Sequence, residues 1–193
     1  DLTQVDAYYF SLQKALGSDG GLWVAFLSPA AVERARRIEE SADGRWVPQF
    51  LSLSAAIDNS RKDQTLNTPA LATIIMAERQ VRWLLERGGM EAVSAHCAQA
   101  SSLIYDWAEA NLAARPFVDN PAWRSPVTAT IEIDEAVSAS ELAAHLRALG
   151  IVDIGAYRGV GANQLRIGTW PSVDLEDVEA LLACIDYSLE RVL

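Results

Sequence analysis

Two consecutive helical patterns in the middle of the chain limit most strongly what the chain can fold into. The first, NTPALATIIMAERQVRWLLERGG, covers residues 67–89, and the second covers residues 90–114. Asn67 or Thr68 is placed to cap the first helix, Pro69 takes its first position, and the closing Gly-Gly pair ends it. Strand-like stretches alternate with further helical stretches on both sides, which predicts an α/β protein.

The stretch before these helices predicts short strands, one helix and long loops. Residues 8–11 and 22–28 (LWVAFLS) are aromatic and apolar runs bounded by turn residues, which predicts two short buried strands. Pro29 then opens the helical pattern PAAVERARRIEE at the first helical position, which proline tolerates. Residues 41–67 show no clear period, so we expect long loops with one short helix, and loops of this length are often functional.

A change of composition at ARPFVDNPAWRSP introduces a second set of strand and helix patterns. VTATIEI alternates as a strand, and SASELAAHLRALG is a helix in which Ser138 and Glu141 have the spacing of a capping box and Gly150 is the stop. IVDIGAY and QLRIGTW predict two strands joined by a glycine-rich turn, and SVDLEDVEALLACIDYSLERVL predicts the last helix. We therefore place a domain boundary between residues 1–89 and residues 90–193.

Composition argues against several classes of function. Half of the 193 residues are hydrophobic and the net charge is −10, which argues against nucleic acid as a main partner because phosphate backbones require a basic face. No apolar run is long enough to span a bilayer. Cys97 and Cys184 lie far apart in apolar helical patterns, so we expect buried free thiols and a reducing, cytoplasmic environment.

The familiar metal and nucleotide motifs do not occur in the sequence. His96 and His145 both lie in helical patterns without further ligands at metal-binding spacing, so we expect structural histidines and no metal. There is no HExxH, CxxC, P-loop or GxSxG motif. GAYRGVGANQ is rich in glycine, but it joins two predicted strands and is a weak signal for nucleotide binding.

Lys14 stands at the end of the aromatic stretch YYFSLQK, just before a Ser-Asp-Gly-Gly turn. Lysine is rare in this chain, since Lys14 and Lys62 are the only two, against fourteen arginines. One interpretation is an ordinary exposed lysine beyond the end of a strand. The other is an amine partly desolvated by Tyr8, Tyr9 and Phe10, because burial favours the uncharged amine, which is a nucleophile toward carbonyl groups.

Two further places in the sequence are candidates for binding an anion. The stretch NTPA, residues 67–70, is either a plain helix cap or an anion site, because a helix N-terminus offers free N–H groups and partial positive charge. Arg158 and Arg166 flank the glycine-rich turn. If the strand that contains Arg166 is buried, its guanidinium requires an anion, either a ligand or an internal carboxylate; otherwise it is an edge-strand arginine.

Taken together, these stretches resemble the C-terminal half of the phosphoserine aminotransferases. The resemblance covers essentially the whole chain and is carried by YYFSLQKALGSDGGLW, FLSLSAAIDNSRKDQTLNTPA, AYRGVGANQLRIGTWPSV and the closing helix. The order of QK, NTP and a late LRI strand is a specific combination that looks like the actinobacterial branch. The resemblance implies the aspartate-aminotransferase type of fold, with residues 1–89 belonging to the large cofactor-binding domain and residues 90–193 forming the small α/β domain.

The resemblance also implies which residues bind the cofactor, pyridoxal 5′-phosphate. Lys14 matches the lysine that forms a Schiff base with the cofactor, and Gln13 matches the cofactor contact beside it. Asn67 and Thr68 match a pair that binds the cofactor phosphate, which in the family reaches across a dimer interface into the partner's site. The chemistry of these residue types agrees with the roles, since the substrate amine displaces the lysine, which then carries a proton as base and acid.

Substrate binding is implied for the two arginines. Arg166 matches the arginine that holds the substrate α-carboxylate, and Arg158 matches a basic position that contacts the substrate's phosphate or side-chain carboxylate. Many relatives have a histidine directly before the arginine that corresponds to Arg158, where this chain has Tyr157. Arginine suits both tasks because its planar guanidinium forms bidentate pairs with carboxylate and phosphate.

The implied enzyme is a homodimeric, cytoplasmic aminotransferase of serine biosynthesis. It interconverts O-phospho-L-serine and 2-oxoglutarate with 3-phosphooxypyruvate and L-glutamate. The chain begins at Asp1 in what looks like mid-protein, and in the family the N-terminal half supplies the phosphate loop, the ring-stacking aromatic residue and the aspartate that faces the pyridine nitrogen. We therefore expect little or no transamination by this chain alone.

Two alternatives remain open from the sequence. One is another enzyme of the same fold, such as an alanine–glyoxylate aminotransferase or a cysteine desulfurase. Desulfurases typically have a histidine before the lysine, whereas Gln13 precedes Lys14 here. The other alternative is a non-catalytic domain fragment that associates with itself through exposed apolar surface.

Overall fold

The computed structural model describes residues 1–41, 46–158 and 163–192. These residues fall into two compact units, Asp1–Gln80 and Val81–Leu193. The division lies nine residues before the boundary expected from the sequence and passes through the middle of a helix. Whether residues 1–89 and 90–193 are the functional domains stays a prediction.

The first unit contains a two-stranded antiparallel sheet and two helices. Strand β1 (Ala7–Ser11) pairs with β2 (Trp23–Leu27). Helix α1 (Pro29–Glu40) begins at the predicted proline, and α2 (Leu53–Ser60) is the one short helix expected in the long loop region. Ser28 caps α1, because its hydroxyl accepts a hydrogen bond from the backbone N–H of Ala31 at 3.1 Å.

The prediction that these two strands are buried is wrong for this chain. Tyr9 is 80% exposed, and Tyr8, Trp23 and Phe26 are also exposed. A sheet of two strands has both faces open unless another layer covers them. Among the described residues of this unit, Leu12 is the one apolar side chain that is buried.

Two long helices follow, as predicted, but the first begins later than expected. Helix α3 covers Leu71–Glu86 and α4 covers Gly89–Ala110. The carbonyl of Ala70 accepts a hydrogen bond from Ile74 N–H at 3.1 Å, so Pro69 and the predicted cap residues lie outside the helix. Thr68 precedes a proline, which disfavours the helical conformation, and buried Thr73 fixes the first turn through tertiary contacts instead.

The second unit is a three-stranded antiparallel sheet packed against three helices. The strand order is β3 (Ala114–Pro116), β4 (Thr128–Ile133) and β5 (Gln164–Gly168). Helices α4, α5 (Ala139–Ala148) and α6 (Leu175–Val192) pack together and against the sheet. The short strand β3 was not predicted, because three residues that include a proline give no periodic signal.

One face of this sheet is buried and the other is polar. Its core consists of eighteen buried residues, all in the second unit: Ala100, Ile104, Tyr105, Ala108, Ala129, Ile131, Ile133, Val137, Ala139, Leu142, Leu146, Ile154, Leu165, Ile167, Val178, Leu182, Ile185 and Leu189. Alternation along β4 and β5 turns Thr128, Thr130, Glu132, Arg166 and Gly168 to the opposite face. Arg166 therefore lies on the polar face of the sheet.

The predicted start and end of helix α5 are confirmed, whereas the strand predicted after this helix does not form. Ser138 caps α5 by accepting from Glu141 N–H at 3.3 Å, and Gly150 ends the turn beyond it with a φ of +94°. IVDIGAY forms no strand and makes only one isolated bridge, from Gly155 to Leu165. Asp153 has a φ of +62°, which breaks the extended run that the apolar letters suggested.

Candidate functional site

Lys14 lies in a tight turn directly after β1. Its carbonyl accepts a hydrogen bond from Gly17 N–H at 2.8 Å, and the carbonyl of buried Leu12 accepts from Ser18 N–H at 3.0 Å. Gly17 has a φ of +67°, which a residue with a side chain rarely adopts, so the turn depends on this glycine. Lys14 and Gln13 are both exposed.

The expected desolvation of Lys14 by aromatic residues is not found in this chain. Tyr8 and Tyr9 are themselves exposed, and Phe10 is only partly buried, because a two-stranded sheet has too few layers to shield the turn at its end. Of the two interpretations from the sequence, the exposed lysine beyond a strand describes this structure. Its amine is accessible to a small aldehyde from solvent.

The Lys14 turn is fixed to the start of α3. The hydroxyl of Ser18 donates to the carbonyl of Thr73 at 3.0 Å, and the hydroxyl of Thr73 donates to the carbonyl of Gly20 at 3.3 Å. Ser18 and Thr73 are both buried, so these bonds are shielded from water. The segment 12–20 is therefore attached to the first turn of the helix that follows the NTP stretch.

Asn67 and Thr68 are exposed just before α3. Their side chains make no hydrogen bond within the part of the chain that the structure describes; only the backbone carbonyl of Asn67 accepts, from the hydroxyl of Thr65. Because the helix begins at Leu71, the interpretation as a plain side-chain cap is wrong. The amide and the hydroxyl therefore remain able to donate to an anion.

Arg166 projects from β5 on the polar face of the second sheet and is half-buried. Its guanidinium carbon lies 4.9 Å from the centroid of the Tyr157 ring, so the cation stacks on the aromatic face. Across residues 1–41, 46–158 and 163–192, no carboxylate lies within 4.0 Å of its guanidinium. An internal salt bridge, one of the alternatives from the sequence, is therefore not formed there.

Arg158 is exposed at the start of the glycine-rich turn. Gly159, Val160, Gly161 and Ala162, which form the centre of that predicted turn, lie outside the described residues. Gln13, Lys14, Asn67 and Thr68 belong to the first unit, and the two arginines belong to the second. All of these side chains are exposed except that of Arg166, which is half-buried, so each of them is accessible to a small molecule.

Comparison with known proteins identifies the family. A model of the aminotransferase class-V family matches residues 1–156. The chain belongs to the aminotransferase class-V family. Members of this family depend on pyridoxal phosphate.

Individual relatives point in the same direction. A putative phosphoserine aminotransferase of Mycolicibacterium vanbaalenii is 51% identical over 192 residues, covering 100% of this chain and 51% of the relative. A phosphoserine aminotransferase of Rhodococcus jostii is 47% identical with the same coverage. The solved phosphoserine aminotransferase of Bacillus circulans subsp. alkalophilus superposes with a TM-score of 0.82 at 26% identity, over 97% of this chain and 48% of that one. The chain thus spans about half the length of its relatives, and the resemblance and the aminotransferase fold predicted from sequence are confirmed.

The donor groups of the first unit suit part of the class-V cofactor. Pyridoxal phosphate carries an aldehyde, which requires an amine, and a phosphate, which requires hydrogen-bond donors. Lys14 offers an accessible amine at a fixed turn, and Asn67 and Thr68 offer donors that no other described residue occupies. These residues therefore suit the aldehyde and the phosphate of pyridoxal phosphate.

Asn163 is a structural residue of the site that sequence reasoning missed. Its amide nitrogen donates to the carbonyls of Ile133, Asp134 and Val137 at 2.8–3.0 Å, and its amide oxygen accepts from Ala139 N–H at 2.8 Å. These bonds fix the chain immediately before β5 and so set the position of that strand. The only signal in the sequence was an asparagine at the edge of an apolar strand pattern, where turn residues are common.

The remaining candidates from the sequence were two histidines and two cysteines. His96 Nε2 lies 2.8 Å from the carbonyl of Val173, and in the described ranges no three His, Cys, Asp or Glu side chains are arranged to hold a metal ion. Cys97 and Cys184 are free thiols; Cys97 is buried as expected, which raises its pKa, whereas Cys184 is only partly buried. Of the helices that the structure describes, none is long and apolar enough to cross a membrane.

Proposed function

We propose that this chain is about half of a phosphoserine aminotransferase. The protein would transfer the amino group of O-phospho-L-serine to 2-oxoglutarate, reversibly, giving 3-phosphooxypyruvate and L-glutamate in serine biosynthesis. The observation that carries the proposal is the 47–51% identity to relatives with this name along the full length of the chain. Alanine–glyoxylate aminotransferases share the fold at lower identity and support no more than the fold.

Lys14 is proposed as the catalytic residue. Its amine would hold pyridoxal phosphate at the aldehyde carbon of the cofactor and would give way there to the substrate amine. The cofactor supplies a conjugated ring that withdraws electrons from the substrate Cα. The released Lys14 amine then takes the proton from the substrate Cα as a general base and later returns one as a general acid. Its accessibility at a turn fixed by Leu12 and Gly17 supports this role.

Asn67, Thr68 and Gln13 are proposed to hold the cofactor. The unoccupied donors of Asn67 and Thr68 precede the sixteen-residue helix α3, whose N-terminus carries partial positive charge that favours a phosphate group. As the resemblance implies, this pair would serve the site of the partner in a homodimer. Exposed apolar residues at the start of α3, such as Leu71 and Ile75, suit an interface of that kind. The free thiols suit a cytoplasmic enzyme.

Arg166 and Arg158 are proposed to bind the substrate. Arg166 holds the α-carboxylate, since its guanidinium has no carboxylate partner among the described residues and is half-accessible. Arg158 meets the phosphate of phosphoserine or the side-chain carboxylate of glutamate. Holding the substrate at these points orients the Cα–H bond for transfer to Lys14, which is a positioning effect.

The decisive experiment traps the amine in the whole protein. Borohydride reduction in the presence of pyridoxal phosphate, followed by peptide mass spectrometry, should place the label on Lys14. Lys14→Ala should lose the label and lower turnover of phosphoserine by at least about a hundredfold. The matched control is Lys62→Ala, which removes the only other lysine of this chain, also exposed, and should leave label and turnover unchanged.

Two results would contradict the proposal. Label on Lys62 or on no residue of this chain would remove Lys14 from the mechanism. Turnover of alanine or serine in preference to phosphoserine would assign the protein to another activity of the same fold.

The 193-residue chain alone, supplied with pyridoxal phosphate, is expected to give little or no turnover.

A further inference from the structure

We propose that Tyr157 is a positioning residue for Arg166, which it holds ready for a substrate carboxylate. The inference rests on the proposed function, because it takes Arg166 as the residue that binds the carboxylate. The 4.9 Å stacking of the guanidinium on the Tyr157 ring carries the inference.

Stacking and carboxylate binding use different parts of the guanidinium. The aromatic ring attracts the cation electrostatically over its face, whereas a carboxylate binds through the N–H groups in the plane of the guanidinium. Tyr157 can therefore fix the orientation of Arg166 without occupying the donors that a carboxylate requires. A carboxylate as an orienting partner would instead occupy those donors and compete with the substrate.

Glu132, an acidic neighbour of Arg166 on the polar face, is bound to another arginine. Glu132 on β4 faces Gln164 on β5, two residues from Arg166 and within reach of a long side chain. Its carboxylate instead accepts from Arg115, with contacts of 2.7 and 2.8 Å to the guanidinium, across the β3–β4 pair. Arg115 thus keeps Glu132 occupied and leaves Arg166 available.

Trp170 covers the polar face of β5 two residues along the strand from Arg166. A Cβ atom on Gly168 would lie 2.6 Å from Nε1 of Trp170, so the indole covers the strand at the place where that side chain would stand. Gly168 is two residues from Arg166 and shares its face of the sheet. The polar face around Arg166 thus carries the Tyr157 ring on the cation and the Trp170 indole over the Gly168 position, which suits a compact ligand group such as the α-carboxylate of an amino acid or a 2-oxo acid.

The test compares two substitutions of Tyr157 in the whole protein. Tyr157→Leu removes the aromatic face and should raise KM for glutamate by about 2- to 30-fold with kcat nearly unchanged, because the interaction contributes equally to substrate and transition-state binding. Tyr157→Phe keeps the face and should restore KM to within about twofold of the original. Tyr157 is 54% exposed, so neither change disturbs the core.

Tyr187→Leu is the matched control. Tyr187 is also half-exposed and stacks on an arginine, Arg191, at 3.4 Å, but it lies in α6 and not on the polar face of the sheet. This variant should leave KM unchanged. A second readout uses the 193-residue chain and ¹H–¹⁵N NMR, in which the Arg166 Nε–H resonance should shift in Tyr157→Leu and stay in place in Tyr157→Phe.

Arg166→Ala distinguishes failure of this inference from failure of the proposed function. If Arg166→Ala raises KM for glutamate and Tyr157→Leu does not, Tyr157 has no positioning role and only the present inference is overturned. If Arg166→Ala leaves KM unchanged, the carboxylate role of the arginine fails and the inference fails with it. An equal rise in KM for Tyr157→Phe and Tyr157→Leu would also overturn the stacking role.

Discussion

The amide of Asn163 joins three carbonyls and one N–H group that come from the end of β4, the loop after it and the start of α5. Asn163→Asp would replace the NH₂ donor with a carboxylate oxygen facing the carbonyls of Ile133, Asp134 and Val137. Because these groups would lose their donor and meet a negative charge, we expect the free energy of unfolding to fall by about 2–4 kcal/mol in urea denaturation.

Asn120→Asp is the control for this change. The Asn120 side chain acts as an acceptor, from the N–H of Ala122 at 3.0 Å, and aspartate accepts equally well. We expect its effect to stay within about 0.5 kcal/mol. Equal destabilisation by both substitutions would show that the donated bonds of Asn163 contribute nothing particular.

The sequence predicts a site residue well when the residue type itself indicates its chemistry. It predicts the surroundings of that residue poorly, because these depend on residues distant in the sequence. Lys14 and Arg166 stood out as a rare lysine before a turn and a charge inside an apolar strand. Their surroundings were harder to predict, since the shielding expected for Lys14 required layers that a two-stranded sheet does not provide. The contact of Tyr157 with Arg166 joins side chains nine residues apart, which no local pattern in the sequence reveals.

At the scale of elements, the attachment of the Lys14 turn to α3 can be tested through Ser18. Ser18→Ala removes a buried hydrogen bond to the Thr73 carbonyl, the bond that attaches the turn to the helix. We expect a loss of about 1–2 kcal/mol in unfolding free energy and faster backbone hydrogen exchange in residues 12–20.

Ser94→Ala provides the comparison. Ser94 is exposed in α4, and alanine is a better helix former, so stability should be unchanged or slightly higher. If exchange in residues 12–20 is the same in Ser18→Ala as in the original chain, the turn is held by its own backbone bonds and not by the helix.

Elements with local end signals were predicted well, and those that depend on tertiary pairing were not. Pro29 opens α1, and Ser138 with Gly150 bounds α5, because caps and stops act within one turn of backbone. The start of α3 moved from Pro69 to Leu71, where contacts of Thr73 with another segment determine the first turn. Likewise β3 exists because β4 lies beside it, which no three-residue pattern reveals.

At the scale of the whole molecule, the buried apolar side chains are divided unequally between the two units. The eighteen-residue core lies entirely in Val81–Leu193, whereas Leu12 is the one buried apolar side chain described in Asp1–Gln80. Because stability comes mainly from such burial, the 193-residue chain should protect its second unit far better than its first.

Hydrogen exchange followed by mass spectrometry checks this expectation. Peptides from β4, β5 and α6 should exchange only through rare global opening, and peptides from β1, β2 and α2 should exchange within the first time points. Equal protection of both sets in the chain alone would show that Asp1–Gln80 is stabilised by something other than a core of its own.

Because buried apolar residues are concentrated in the second unit, natural selection restricts substitutions in the two units for different reasons. A charged residue in place of Ile131 or Leu165 would abolish folding of this chain, so such variants are removed irrespective of what the protein catalyses. A change at Tyr9 or Phe26 costs this chain far less, because Tyr9 is 80% exposed and Phe26 is half-exposed. Substitutions at these two positions are therefore restrained mainly by the function of the whole protein. Their rate of divergence among descendants would show whether that function is still under selection.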